Sequence, residues 1–145
     1  MTPEQAAAYF KRAADRLPDE FMQAERENVA DVFQTAIDHS SGPYSLLELR
    51  NMGHPYARRH KRAFLDPGVI NVQTGVFIRS WKAEGPTLTG DDLEASIFNT
   101  DPKASDFLEP GTDLMIPRPI DQKIAGECAG RIDRRRKKAF ERALS

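Results

Sequence analysis

The amino-acid sequence predicts an α+β fold: a small antiparallel sheet of three to four strands, flanked by N-terminal helices and a long C-terminal helix. Apolar residues recur every three or four positions near both ends of the chain, whereas the middle contains short β-leaning runs. The 145 residues suit one domain with a single core. That domain, residues 1–145, divides into N-terminal helices (1–42), a short helix with a basic loop (43–70), a β-rich part (71–118) and a basic helix (119–145).

The N-terminal part begins with a strong helix signal. Thr2 is a suitable N-cap, a proline follows at the first helical position, and Gln5 completes a capping box. This helix is expected to end near Arg16. Pro18 is expected to begin a second helix, because proline is tolerated in a first turn. The second helix carries one apolar stripe and is expected to end near residues 40–43.

The next part combines a short helix with a basic loop. Residues 44–52 predict the helix, and Gly53 is expected to end it. Residues 53–62 are too polar for a core and contain a proline, so we expect an exposed loop that docks on a neighbouring subunit or ring. Five of its residues are candidate contacts: His54, Tyr56, Arg58, Arg59 and His60. The two histidines lack the spacing and the neighbouring carboxylates of a zinc site, so we expect no metal there.

The β-rich part is expected to contain two strands, at residues 76–83 and 93–99, joined by a turn over residues 85–92. In the second strand, alternate apolar residues share one face, as in a half-buried strand. A third strand is expected at residues 112–116, where apolar residues again alternate. These segments form the predicted sheet.

The C-terminal part predicts a long helix whose apolar side is marked by Ile120, Ile124, Cys128, Ile132, Phe140 and Leu144. Cys128 is the only cysteine and is expected to act as a small apolar side chain on this side. The strongest basic run, residues 131–138, spreads around the helix axis. Three interpretations of this run are open: a solvated helix end, a protein interface that includes Arg134 and Arg135, and transient contact with DNA.

Charges are sorted into blocks along the chain, although the net charge is only −1. The net charge is −4 in residues 1–40, +3 in 41–70, −4 in 71–118 and +4 in 119–145. Complementary blocks of this size can register subunits against each other or against a partner. The alternative interpretation is that they are solvated helix faces.

The composition excludes several classes of protein. No apolar run is long enough to span a membrane, and the N-terminus lacks the apolar segment of a secretory leader, so we expect synthesis in the cytoplasm. No glycine-rich phosphate loop, nucleophile elbow or catalytic carboxylate pair is evident. We therefore expect no enzyme activity, no metal and no cofactor.

Three motifs occur in order in the second half of the chain. They are Gln73-Thr-Gly-Val-Phe-Ile-Arg-Ser-Trp81, then Ser96-Ile-Phe-Asn99 followed by Phe107-Leu-Glu-Pro-Gly-Thr112, and finally Met115 with Arg118 and Pro119. Together they resemble the signatures of the tail-completion, or neck, proteins of tailed bacteriophages. The sequence departs from that family at Gln73, where an acid is usual, and at residues 105–106, where an aromatic-alanine pair is common.

The resemblance implies a structural virion protein of the phage neck that forms a homo-oligomeric ring at the head–tail junction, with a hexamer favoured. The implied partners are further copies of itself and adjacent neck proteins, such as an adaptor, a stopper, a tail terminator or a tail tube. Transient contact with viral DNA in the channel is also implied. Such a protein would be located in the virion, and in the host cytoplasm during assembly.

Five residues of these motifs have expected structural or interface roles. Gly75 and Gly111 permit backbone turns that are closed to residues with side chains. Pro117 and Pro119 fix the direction of the chain as it enters the last helix. Arg118 is held between them on a stiff segment, where we expect it to contact a carboxylate of a neighbouring subunit.

Two other functions stay open on the sequence. One is a portal adaptor, a head-completion ring that usually has twelve subunits. The other is a small nucleic-acid-binding regulator, against which the acidic blocks and the near-neutral net charge argue. The number of subunits in the ring distinguishes a portal adaptor from a hexameric tail-completion protein. Salt-dependent DNA binding would identify a nucleic-acid-binding regulator.

Overall fold

The computed structural model of the chain describes residues 1–44, 46–51, 70, 75–108, 110–111 and 117–145. Its elements, in chain order, are helices α1 (Pro3–His39), α2 (Leu46–Asn51) and α3 (Val76–Arg79), strands β1 (Trp81–Thr89) and β2 (Asp92–Asn99), a π-helical turn (Ala104–Leu108) and helix α4 (Ile120–Leu144). The α+β class and the long C-terminal helix are therefore confirmed. The described residues contain one two-stranded sheet, and the third predicted strand, at 112–116, lies outside them.

Helix α1 starts where the capping box predicts. The Thr2 side chain accepts a hydrogen bond from the Gln5 backbone at 3.2 Å, and the Gln5 side chain accepts one from the Thr2 backbone at 2.8 Å. The predicted break before Pro18 is wrong, because α1 is continuous from Pro3 to His39. Proline removes one backbone hydrogen bond from a helix interior, but α1 contacts α4 on both sides of this position. Tertiary packing outweighs that local cost.

Helices α1 and α4 pack against each other in antiparallel orientation, and small side chains fill most of their interface. The buried ones are Ala13, Ala24 and Ala36 from α1, and Cys128, Ala139 and Ala143 from α4. Such small residues let two helix backbones approach closely. The predicted apolar side of α4 is correct at Ile120, Ile124 and Cys128, but Phe140 is exposed because Ala139 and Ala143 take the inner positions there.

The hairpin of β1 and β2 is antiparallel, with a register that runs from Trp81 opposite Asn99 to Thr89 opposite Asp92. The predicted limits of the first strand are wrong at both ends, because residues 76–79 are helical and β1 continues through residues 85–89. The glycine and proline that suggested a turn lie in a register irregularity between Glu84 and Thr87 instead. The chain actually turns at Gly90, which has a φ of 64°.

The largest part of the core lies where the base of the hairpin meets the C-terminal end of α1 and the N-terminal end of α4. Trp81 is buried there with Ile120, Ile124 and Cys128, and the Phe77 ring meets the Trp81 ring edge to face at 6.0 Å. The Trp81 indole N–H donates to the Ser40 hydroxyl at 2.8 Å, and that hydroxyl donates to the Ala36 carbonyl at 2.7 Å. This chain of hydrogen bonds fixes the hairpin to the end of α1.

We expect Ser40→Ala to lower the free energy of unfolding by about 1–3 kcal/mol, because it leaves the buried Trp81 N–H without its acceptor. The matched control is Ser41→Ala, since the Ser41 hydroxyl also donates to the carbonyl four residues back, at 2.7 Å, but is exposed. The control is expected to change stability by less than about 0.5 kcal/mol. Urea unfolding followed by circular dichroism measures both. Equal losses in the two variants would contradict the anchoring role of Ser40.

Candidate interaction surfaces

The structure describes only some of the candidate contact residues. His54, Tyr56, Arg58, Arg59 and His60 lie outside the described residues, as does the whole predicted loop at 53–62. The exposure and docking of that loop therefore stay predictions. The candidates within the described residues are Gly75, Gly111, Pro117, Arg118, Pro119, Arg134 and Arg135.

The two glycines of the motifs occupy left-handed backbone conformations. Gly75 has a φ of 76° and precedes α3, and Gly111 has a φ of 72°. A residue with a side chain would be strained in this conformation, so the predicted role of both glycines at backbone turns agrees with the structure. Pro119 is the N-cap residue of α4, so it stands where the chain enters that helix.

Arg118 does not fit the role that the sequence suggests. Its side chain is among the most deeply buried in the described residues, with 1% of the residue exposed. Its backbone N–H donates to the Leu108 carbonyl at 2.7 Å, which ties the start of α4 to the π-helical turn. Contact of Arg118 with a neighbouring subunit stays a prediction, and the burial of this residue in its own subunit argues against it.

A row of ion pairs joins α1 to α4 along the length of their contact. At its centre the Asp31 carboxylate accepts hydrogen bonds from Arg131 Nε and Arg135 Nη1, both at 2.8 Å. Two further ion pairs flank it, Arg136 with Glu25 at 2.5 Å and Arg142 with Glu20 at 2.6 Å, and a hydrogen bond joins His39 to Glu127 at 2.8 Å. We call this row the helix-pair ladder. Arg135 binds Asp31 within its own chain, so part of its charge is already used there, and its expected role as an interface contact stays a prediction.

The sequence shows that two arginines of the ladder share a helix face, but it does not show which acid they bind. Arg131 and Arg135 are four residues apart on a predicted helix and so share a face. Which acid faces them depends on how α1 aligns with α4, and that alignment is a property of the folded chain. Part of the charge sorting between residues 1–40 and 119–145 is therefore used inside one subunit.

The ladder shifts the pKa of two carboxyl groups. The hydrogen bond from Arg131, aided by Arg135, holds the pKa of Asp31 below its ordinary value, although partial burial opposes the shift. The hydrogen bond with His39 is the main reason why the pKa of Glu127 is also lowered. Both carboxylates are therefore stabilised in their charged form in the folded chain.

Three cations of the basic run 131–138 are left outside the ladder. Arg134 and Lys138 are exposed and form no ion pair with any part of the chain that the structure describes. Lys137 is also exposed and lies 4.0 Å from Glu141, one helical turn away. We call Arg134, Lys137 and Lys138 the basic stripe. Of the candidates on this helix, only Arg134 keeps its charge exposed and available to a partner.

One face of the hairpin is exposed along its whole length. On β2 it consists of Asp92, Glu94, Ser96 and Phe98, and on β1 of the residues opposite them, Thr89, Thr87, Glu84 and Lys82. We call these eight residues the outer face. The alternate residues of β2 at positions 93, 97 and 99 are partly buried towards the helices. The outer face carries three carboxylates and one ammonium, so it is acidic.

Residues from two of the three motifs, together with Thr100 and Asp101, meet at the base of the hairpin. The Asn99 side chain donates to the Phe77 carbonyl at 2.9 Å and accepts from the Asp101 backbone at 2.8 Å. The Thr100 backbone and hydroxyl donate to the Ser80 carbonyl at 3.0 and 3.1 Å. We call this network the hairpin junction. It connects the segment around residues 75–81 to the end of β2.

A cleft of about 350 Å³ lies between the hairpin and the two long helices. Its walls are mostly apolar, with Val29, Trp81 and Ile124 among them. The charged residues at its rim, Glu25 and Arg136, bind each other, so they do not present converging polar groups to a ligand. Among the described residues, no group of three histidine, cysteine or acidic side chains is close enough to hold a metal ion.

No family model, no curated protein and no solved structure matches the chain. None of the described helices is long and apolar enough to cross a membrane. The surfaces available for interaction are therefore identified from the geometry of the described residues alone.

Replacing Asp31 is expected to weaken the folded chain in a pH-dependent way. Asp31→Asn leaves two guanidinium groups without their carboxylate, so the free energy of unfolding at neutral pH is expected to fall by about 1–3 kcal/mol. Because folding lowers the pKa of Asp31 below 3.8, its contribution is present above that value and is lost as the pH falls through the lower folded value. The difference between the variant and the wild type is therefore expected to disappear in acid.

Chemical denaturation over a series of pH values measures this difference. The matched control is Asp15→Asn, which removes the same charge from an exposed position of α1. Its effect is expected to be small at every pH. A loss for Asp31→Asn that stays constant into acid would show that the ladder does not depend on the charge of this carboxylate.

Proposed function

We propose that the chain is a structural virion protein of the phage neck, a ring-forming tail-completion or head–tail joining component without catalytic activity. The observation that carries this proposal is the hairpin junction. Asn99 of the second motif donates a hydrogen bond to Phe77 of the first, about 20 positions earlier, and Thr100, next to the second motif, donates to Ser80 of the first. Motifs that build one local structure are stronger support for a family resemblance than motifs scattered over a surface.

The distribution of surfaces also supports a ring. A cyclic ring needs two different and complementary faces on every subunit. The described part of this chain carries an acidic outer face on its hairpin and a basic stripe on α4. Its expected partners are further copies of itself, in a hexamer, and adjacent neck proteins above and below the ring. Its location would be the head–tail junction of the virion.

The helix-pair ladder weighs against the nucleic-acid-binding regulator. Three of the six basic residues in the run 131–138, namely Arg131, Arg135 and Arg136, already bind carboxylates of α1. Fewer cations are thus available to phosphates, and DNA affinity falls steeply with each lost phosphate contact. The portal adaptor stays the second candidate, and only the number of subunits and the position of the ring separate it from a tail-completion protein.

We expect that deleting the gene from the phage that encodes this chain leaves heads and tails that do not join. Expression of the wild-type chain in trans is expected to restore joining. Electron cryomicroscopy of the restored particles is expected to show a ring of this chain between the portal and the tail. A ring of twelve subunits bound to the portal would identify the adaptor instead. Normal particles in the deletion strain would contradict both, and salt-dependent DNA binding would then favour the regulator.

A second test addresses the loop predicted at residues 53–62. We expect the double substitution Arg58→Glu with Arg59→Glu to block head–tail joining and to change thermal unfolding little, because exposed charges contribute little to folding. The matched control is Lys11→Glu with Arg16→Glu, which reverses the same charges on the exposed side of α1. Counting joined particles by electron microscopy and recording thermal unfolding separate the two effects. Unfolding of the loop variant would mean that this segment is structural.

A further inference from the structure

We propose that the outer face of the hairpin docks on the basic stripe of α4 in a second copy of the chain. This inference rests on the proposed function to the extent that it takes the chain to form a ring. The inference goes beyond the proposed function by naming the two surfaces that meet. The outer face of the hairpin is exposed, its carboxylates need a basic complement, and the exposed cations of the basic stripe point away from the hairpin of their own subunit.

The hairpin is exposed to an unusual degree. Every residue of the outer face is exposed, including the aromatic ring of Phe98, and Leu88 near the tip is also exposed. A two-stranded hairpin alone is marginally stable in water and gains stability when a face is covered. In the described part of the chain, α1 packs against the hairpin. Glu25 and Arg136 of the long helices line a cleft beside Glu84 and Glu94, but no ion pair joins them to the outer face.

The carboxylates of the outer face have no partner within the chain. Glu84, Asp92 and Glu94 form no ion pair or hydrogen bond with any of the residues that the structure describes. Asp92 and Glu94 are two residues apart in β2, so their side chains project from the same face. A covering partner therefore has to be basic, because a neutral or acidic one would bury these charges at a cost.

The basic stripe meets this requirement only between subunits. Arg136 lines the clefts beside the hairpin, one of them together with Glu84 and Glu94, but its guanidinium binds Glu25. Arg134 and Lys138 lie two residues before and after Arg136. At about 100° per residue, both are rotated by about 160° from Arg136 around the helix axis. They therefore point away from the hairpin of their own chain. Acidic and basic surfaces on opposite sides of a subunit favour a head-to-tail contact, which closes into a ring when the rotation permits.

The outer face also offers an apolar contact beside its charges. The exposed side chain of Phe98 lies at its end. Charge complementarity would orient the two copies and select the partner, while Phe98 would supply apolar burial. This division of roles agrees with the modest affinity that exposed ion pairs give by themselves.

Charge reversal on each surface tests the contact. The outer-face variant is Asp92→Lys with Glu94→Lys, and the stripe variant is Arg134→Glu with Lys138→Glu. Sedimentation velocity and negative-stain electron microscopy of the purified full chain measure self-association. We expect each variant to weaken self-association by about tenfold or more, because like charges then face each other. We expect an equimolar mixture of the two variants, and one chain carrying all four substitutions, to assemble again.

Two matched controls carry the same charge changes at exposed positions of α1. They are Asp15→Lys with Asp19→Lys, and Lys11→Glu with Arg16→Glu. We expect both to assemble like the wild type. Circular dichroism and the fluorescence of the single tryptophan check that every variant is folded. Higher salt is expected to weaken assembly of the wild type, since it screens exposed charges.

The outcomes separate this interface from the proposed function. Rings that form in the wild type and in both variants would overturn the interface and leave the ring proposal in place. Loss of assembly in the outer-face variant alone, without rescue by the stripe variant, would show that the hairpin docks on another basic surface and would also overturn the inference. A wild-type chain that stays monomeric at all concentrations would count against both. Rescue in the mixture supports the interface, because a merely structural defect is not repaired by a second defect.

Discussion

The close packing of α1 on α4 is the constraint on which the rest of the structure depends. Buried residues as small as Ala36 and Cys128 let the two backbones approach, and they leave the arginines of α4 within reach of Asp31. The same contact places Ser40, just after the end of α1, beneath the hairpin, where it receives the Trp81 N–H. The hairpin is thus oriented by the helix pair on which its base packs.

The charge blocks of the sequence have two different uses. The acidic block at residues 1–40 and the basic block at 119–145 form antiparallel helices, so many of their charges face each other within one chain. Each partly exposed pair stabilises the fold only modestly. Their common effect is on alignment, because pairs spaced along both helices form together in one register only. The hairpin and the basic stripe carry exposed charges that these pairs do not use.

How well the sequence predicts the structure depends on how far away the deciding interaction lies. The capping box of Thr2 and Gln5 is predicted correctly because its partners are three residues apart. The continuity of α1 through Pro18 is not predicted, because contacts with the distant helix α4 decide it. The same holds for the hairpin turn at Gly90, where strand pairing overrides the local signal of a glycine followed by a proline.

The candidate surfaces follow the same rule. Arginine is rarely fully buried, so nothing in the local sequence indicates that Arg118 lies inside its own subunit. The basic run of α4 is visible in the sequence, but the sequence does not show which of its cations remain available to a partner. That depends on the acids of α1, which take Arg131 and Arg135 and leave Arg134. The sequence shows which charges exist, and the fold determines which are exposed.

The burial of Cys128 gives the molecule a built-in reporter of helix separation. It is the only cysteine in the chain, it is fully buried between the long helices, and the Arg131 guanidinium donates to its sulfur at 3.3 Å. A thiol in this position reacts with an alkylating reagent only when the helices part. The rate of alkylation therefore measures how often the helix pair opens, without any label or substitution, and any ligand or partner that clamps the helices would slow it.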